Sequence, residues 1–196
     1  MRLTALATAF LATLASTAQA QDRTIPLDWS GTYVSASLGV SDNSLSADFP
    51  TTAFSLSGSG DAYGVALGYQ RQSGRMVYGG EIAAWDVNGS PSSGTRRVDF
   101  DDGLRASGRL GVSMGRALIY GTVGVTSARI SSPGGPSSRT MGYVVGGGVD
   151  LRITPSVDLG VEYLHHRYRD PDDSPMPPFN VEADIRTVGL KLTYRF

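Results

Sequence analysis

"TVGLKLTYRF", residues 187–196, alternates without a break. Val188, Leu190, Leu192, Tyr194 and Phe196 are apolar or aromatic, while Thr187, Gly189, Lys191, Thr193 and Arg195 are small, polar or charged. Period two marks a strand with two unlike faces. Chain ends fray unless something holds them. A strand this regular at residue 196 therefore calls for a partner, and pairing with the first strand would close the sheet on itself.

Seven further segments show strand character: Trp29–Val40, Asp61–Gln70, Val77–Val87, Asp102–Val112, Ala117–Ser127, Arg139–Arg152 and Val157–Arg167. With the last strand they make eight, each of about ten residues, the length that crosses a bilayer at a tilt. The connections alternate. "RQSGRM", "SMGR" and "ITPS" are short turns rich in Gly, Pro and Ser, whereas Ser41–Gly60, Asn88–Asp101, Ala128–Ser138 and Tyr168–Asp184 are long and polar. Short turns at one end and long loops at the other are the layout of an outer-membrane barrel. The sequence therefore predicts an all-β fold, an eight-stranded antiparallel up-and-down transmembrane β-barrel.

Composition agrees. Twenty-five Gly are spread through apolar stretches, Cys is absent, and the formal net charge is -1. Zero Cys excludes a disulfide scaffold and a thiolate metal site, and a near-neutral chain gives no reason to expect nucleic acid as a partner. At the N-terminus Arg2 is followed by an apolar run from Leu3 to Leu14 and then Ala18-Gln19-Ala20. An apolar run too short for an anchor, ending in an A-x-A site, reads as a secretory signal. The expected organisation is a cleaved signal at 1–20, a short periplasmic segment at 21–28 and the barrel at 29–196.

Alternation does not say which face is outside, since a lipocalin-like barrel turns its apolar face inward. The other face decides. It carries Gly64, Gly68, Gly146, Gly148, Gly160 and Gly189, with Glu81, Arg105, Arg109, Asp150, Glu162, Lys191 and Arg195. Small residues and charges of both signs suit a narrow polar lumen, so the apolar face meets lipid. Eight strands leave an interior that side chains fill. Buried charges need partners, and Glu81, Glu162, Arg109 and Lys191, with Arg105, are expected to pair as a plug in the periplasmic half.

"WSGTYVSASLGV", "GLRASGRLGV" with "ALIYGTVGV", and "VEYLHHRY" with "TVGLKLTYRF" resemble the small outer-membrane barrels of proteobacteria, the OmpA-like and alphaproteobacterial surface-antigen group, often labelled porin-like. The resemblance covers about Trp29 to Phe196. It implies that Val188, Leu190, Leu192, Tyr194 and Phe196 form the signal read by the outer-membrane assembly machinery. No peptidoglycan-binding domain follows, so no cell-wall tether is expected.

The two His, His165 and His166, are adjacent near the outer end of the seventh strand, just before Asp170, Asp172, Asp173 and Ser174. A lipid A-modifying enzyme would want such residues at the rim, but nothing in the spacing fixes a base against a nucleophile. Adjacent strand residues point to opposite faces, so the two His cannot chelate one metal. No catalytic, cofactor or metal site is expected. The leading reading is a non-enzymatic structural or surface-interaction barrel, a monomer displaying four loops. A lipid A-modifying enzyme and a narrow diffusion channel are the alternatives. Arg167 and Arg169 share the outward parity at the rim, where guanidinium groups suit phosphate; they are the expected contacts to lipopolysaccharide in the outer leaflet.

Overall fold

The computed structural model describes residues 27–49, 52–88, 92–93, 96–97, 99–131, 138–169 and 180–196, with side chains described for 27–44, 58–87, 103–128, 140–168 and 184–196. The strands are β1 (Gly31–Phe49), β2 (Thr52–Ser73), β3 (Met76–Asn88), β4 (Ser92–Ser93), β5 (Arg96–Arg97), β6 (Asp99–Met114), β7 (Ala117–Ser131), β8 (Ser138–Thr154), β9 (Val157–Arg169) and β10 (Asn180–Arg195). β4 and β5 pair only with each other; the other eight close a barrel in the order β1-β10-β9-β8-β7-β6-β3-β2, every neighbour antiparallel. The last strand pairs with the first, from Tyr33 opposite Arg195 to Asp48 opposite Asn180. Closure removes the sheet edges, the condition for a β-structure to sit in hydrocarbon.

The register fixes the barrel's shape. The row of opposed residues starting at Asp184 runs through Arg167, Tyr143, Val125, Ala106, Ile82, Leu67 and Val34 and returns to β10 at Tyr194. One circuit thus shifts the register from 184 to 194, ten residues. For eight strands that stagger tilts them by about 40° to the barrel axis.

At the periplasmic end, Gly74-Arg75 and Gly115-Arg116 are two-residue turns with Gly at φ 60° and 63°. A positive φ at the first turn position alone is the type II′ hairpin, whose twist matches the strands. Pro cannot take that conformation, so Pro155-Ser156 makes the third turn with a register shift between Arg152 and Thr154. Each turn is stitched to a neighbouring strand: Ser113 N–H donates to Arg75 O, Arg152 to Arg116 O and Arg195 to Ser156 O, all at 2.8 Å. Phe196 N–H completes the belt on Thr32 O at 3.0 Å.

The facing follows the alternation. Leu38, Val65, Ile82, Val123 and Leu190 lie on the outer wall, while Glu81, Arg109, Asp150 and Lys191 are buried in the lumen. Two expectations are corrected. Ser41–Gly60 is not a free loop, because β1 and β2 stay paired to Phe49 opposite Thr52. Its Ser, Gly and Asp residues have low strand propensity, but β1 is laddered on both sides here, to β2 and to β10, and pairing overrides propensity. The strands are correspondingly longer than ten residues, and Asn180–Asp184 belongs to β10 rather than to the last loop.

A charge on the outer wall should be costly. Leu190→Arg puts a guanidinium on the lipid-facing surface, at about 2–4 kcal/mol near mid-membrane. We expect strongly reduced outer-membrane levels by fractionation, and loss of the heat-dependent gel migration of a folded barrel. Wild-type levels would show the facing to be reversed.

Candidate functional site

The lumen is filled in three layers. The middle layer is ionic and draws on five strands. Arg105 Nη2 (β6) lies 2.7 Å from Glu81 Oε1 (β3) and 3.8 Å from Glu162 Oε2 (β9). Arg109 Nη2 (β6) lies 2.8 Å from Asp150 Oδ2 (β8), and its Nη1 is 3.9 Å from Glu81 Oε2. Lys191 Nζ (β10) is 3.3 Å from Asp150 Oδ1 and 3.5 Å from Glu162 Oε1. Three cations face three carboxylates, so the layer is neutral, as a group of buried charges must be.

Two tyrosines tie the pairs together. Tyr33 Oη donates to Glu81 Oε2 and accepts from Arg109 Nη1, both at 3.0 Å. Tyr120 Oη donates to Glu162 Oε1 at 2.8 Å and accepts from Lys191 Nζ at 2.6 Å. The Arg109 guanidinium also stacks on the Tyr120 ring, 3.6 Å from its centroid.

All five lumen residues expected from the sequence, Glu81, Arg105, Arg109, Glu162 and Lys191, meet in this layer. Asp150 and the two tyrosines were missed. Asp150 was visible on the lumen parity, but strand-by-strand reading does not set its height against Arg109. The tyrosines had a subtler signal. Tyr33 stands opposite Gly68, Trp85 opposite Gly103, Tyr120 opposite Gly148 and Tyr168 opposite Gly142. In every pair the ring occupies the space a Cβ on that glycine would need. A lumen glycine opposite an aromatic is thus a seat for the ring, recognisable only once the register is known.

The outer layer is aromatic and apolar. Trp85 and His166 meet edge to face, 5.0 Å between centroids. Tyr168 Oη shares hydrogen bonds with Thr126 Oγ1 at 3.1 Å and His166 Nδ1 at 3.4 Å. Ala83, Val87, Val144, Leu164 and Ile185 are buried around them. Between this layer and the ions lies a cavity of about 60 Å³, bordered by Trp85, His166, Arg105 and Glu162. That is space for a few waters, each needing roughly 10–15 Å³.

The periplasmic layer is Trp29 with Arg152, Asp158 and Arg195. Trp29 is fully buried; Arg195 Nη2 lies 2.9 Å from Asp158 Oδ2, and Arg152 Nε also pairs with Asp158. Just outside, the Asp28 carboxylate accepts from Ser30 N–H at 2.8 Å. The Ser30 hydroxyl and amide, helped by Arg195 and Arg152, hold the Asp28 carboxyl below its usual range.

At the outer rim the two His separate as pleat geometry requires. His166 is in the lumen; His165 is on the outer wall, its Nε2 2.7 Å from Asp184 Oδ1. Around His165 on that wall stand Val145 and Arg186 across the ladder and Tyr163 and Arg167 along the strand. None of these four is a serine, threonine or cysteine. Arg167 is half-buried, its Nε 3.9 Å from Asp184 Oδ1. The Arg169 side chain lies outside the described residues, as do Asp170, Asp172, Asp173 and Ser174. Leu190, Leu192, Tyr194 and Phe196 are exposed on the outer wall, with Val188 half-buried on the same face. The Tyr194 and Phe196 rings meet edge to face at 5.2 Å.

The family model described as outer membrane protein beta-barrel domain matches residues 7–196. A relative from Rhizobium leguminosarum bv. viciae, the 22 kDa outer membrane protein, is 30% identical over 136 residues, which is 67% of this chain and 64% of the relative. The match thus spans slightly less than two thirds of that protein's length. Among solved structures, Neisserial surface protein A aligns with a TM-score of 0.53 at 17% identity, covering 85% of this chain and 98% of its own. The outer membrane protein OprG of Pseudomonas aeruginosa aligns with a TM-score of 0.54 at 11% identity, covering 88% and 100%. At such identities the two structures speak to the fold alone.

Two substitutions test the ionic layer. Glu162→Gln leaves Lys191 and Arg105 short of one carboxylate, at about 3–5 kcal/mol when a buried pair is broken. Gly68→Ala drives a methyl into the Tyr33 ring and should cost about 1–3 kcal/mol by overpacking. Both should lower the unfolding midpoint in urea, Glu162→Gln more; unchanged midpoints would mean a hydrated lumen.

Proposed function

The chain belongs to the outer membrane β-barrel family and is an outer-membrane protein, and on that premise we propose that it is a non-enzymatic structural and surface-interaction barrel with a sealed lumen. In this reading residues 1–20 are the cleaved export signal, residues 188–196 guide assembly, and the long connections are displayed outside. The observation that carries it is the lumen itself. Ionic, aromatic and Trp29 layers occupy its described length, and charges locked in mutual pairs are not free to pass an ion. Among the described residues, the neighbours of the His165–Asp184 pair on the wall are Val145, Tyr163, Arg167 and Arg186, and none of them is a serine, threonine or cysteine for His165 to activate.

Arg167 is further proposed, with Arg169, to meet phosphorylated lipid of the outer leaflet. The Tyr143 and Tyr163 side chains, exposed on the neighbouring outer wall, form part of the aromatic belt that marks the lipid boundary. Arg167 stands next to Tyr143 across the ladder.

Planar-bilayer recording tests the sealed lumen. Purified protein should give no steady openings, and well-defined single-channel steps would make a diffusion channel the better reading. Arg167→Ala with Arg169→Ala should lower the melting temperature in membranes containing lipopolysaccharide and leave it unchanged in neutral detergent. Equal shifts in both media would remove the headgroup contact. A lipid A acylation change that depends on His165 would overturn the non-enzymatic reading.

A further inference from the structure

Trp29 precedes the first strand, yet it is wholly buried in the periplasmic mouth. Its backbone is held from both sides. The amide donates to Gln72 Oε1 at 2.8 Å, and the carbonyl accepts from Gln70 Nε2 at 2.8 Å and Arg195 Nη1 at 2.7 Å. Gln70 and Gln72 are on β2 and Arg195 on β10, so residues 28–30 cross the mouth as a strap over the end of β1. Beside it, Ser30 Oγ accepts from Gln72 N–H at 2.9 Å, and Arg152 Nη1 donates to Asp28 O at 3.3 Å.

The indole is gripped as well. The Arg152 guanidinium lies 4.3 Å and that of Arg195 5.5 Å from the ring. Asp158 pairs with both arginines and keeps their forks in place. The Trp29 Nε1–H is buried and has no hydrogen-bond partner among the described residues. The ring faces, not the indole N–H, are what the site uses.

We propose that Trp29 and Arg195 form a latch that locks the β1–β10 seam after the barrel has closed, and so sets how slowly the inserted protein unfolds. The contact joins residues 166 positions apart in the chain. It cannot exist before the last strand meets the first, so it forms late. Interactions made after the folding transition state slow unfolding and leave folding largely unchanged. The latch is the one lumen layer whose central side chain is not on a barrel strand, so it can be altered without touching the wall. It goes beyond the sealed-lumen reading, because it concerns the rate of opening rather than permeability.

The test compares Trp29→Phe with Trp29→Leu in the full mature chain, folded in phospholipid vesicles. Phe keeps a ring face for the guanidiniums and loses only the unpartnered N–H; Leu keeps apolar bulk and loses the face. In urea jumps read by the folded gel band, Trp29→Leu should unfold about tenfold faster. Trp29→Phe should stay within about twofold of wild type, and both should fold at the wild-type rate. In a Trp85→Phe background Trp29 is the sole tryptophan, and Arg195→Gln should shift its emission to the red and speed unfolding by a similar factor. Should Arg195→Gln fail to insert, the two Trp29 variants carry the test. Wild-type unfolding of Trp29→Leu would overturn the latch, as would equal acceleration by Leu and Phe. Conductance should stay nil in every variant, because the ionic layer is intact; the sealed-lumen reading fails on conductance, the latch on rate.

Discussion

A β-structure in hydrocarbon must bond every backbone amide to another strand, and everything else in this protein follows from that constraint. It requires β10 to find β1, and a ten-residue stagger sets the tilt. The tilt and the eight strands fix a lumen only as wide as side chains can fill. What fills it was then constrained by chemistry: polar groups beside polar groups, charges in equal numbers, rings where glycines leave room.

The ionic layer illustrates which effect wins. A single unpaired ion in that interior would cost several kcal/mol. Six ions in a closed set of contacts, with Tyr33 and Tyr120 bridging, avoid that cost but confer little stability over an apolar filling. Their contribution is better described as positional. Arg105, Arg109 and Lys191 come from β6 and β10 and must find acids on β3, β8 and β9. A register slip of one residue would turn all of them to the lipid.

Much of this was legible from the chain alone. The alternation in 187–196, the long and short connections, and the Gly and charges on one face together gave the strand number, the topology and the facing. Parity puts all six ions in the lumen, and five of them could be named as a paired set. Two of the missing parts depend on register, a relation between strands that periodicity within a strand cannot supply. Asp150 lacked a height, and the four aromatic and glycine pairs lacked opposition. Trp29 was misplaced for another reason. An aromatic next to an alternating segment reads as its first residue, whereas here β1 begins at Gly31, whose φ of 128° turns the chain inward at the strand's start and leaves Trp29 ahead of it. The extension of β1 and β2 past the expected loop start was hidden by Ser-rich sequence that pairing stabilises and propensity does not.

The lumen holds a fixed, neutral set of ion pairs. The most direct measurement is a solid-state NMR nitrogen-to-carbon distance between the Arg109 guanidinium and the Asp150 carboxyl, on the labelled protein in lipid bilayers. A single short contact is expected, consistent with the 2.8 Å nitrogen-to-oxygen separation, with a guanidinium that does not exchange with bulk water on the timescale of the experiment. An averaged or absent dipolar coupling, with rapid exchange at Arg109, would show a hydrated and mobile lumen and would contradict the fixed set of pairs.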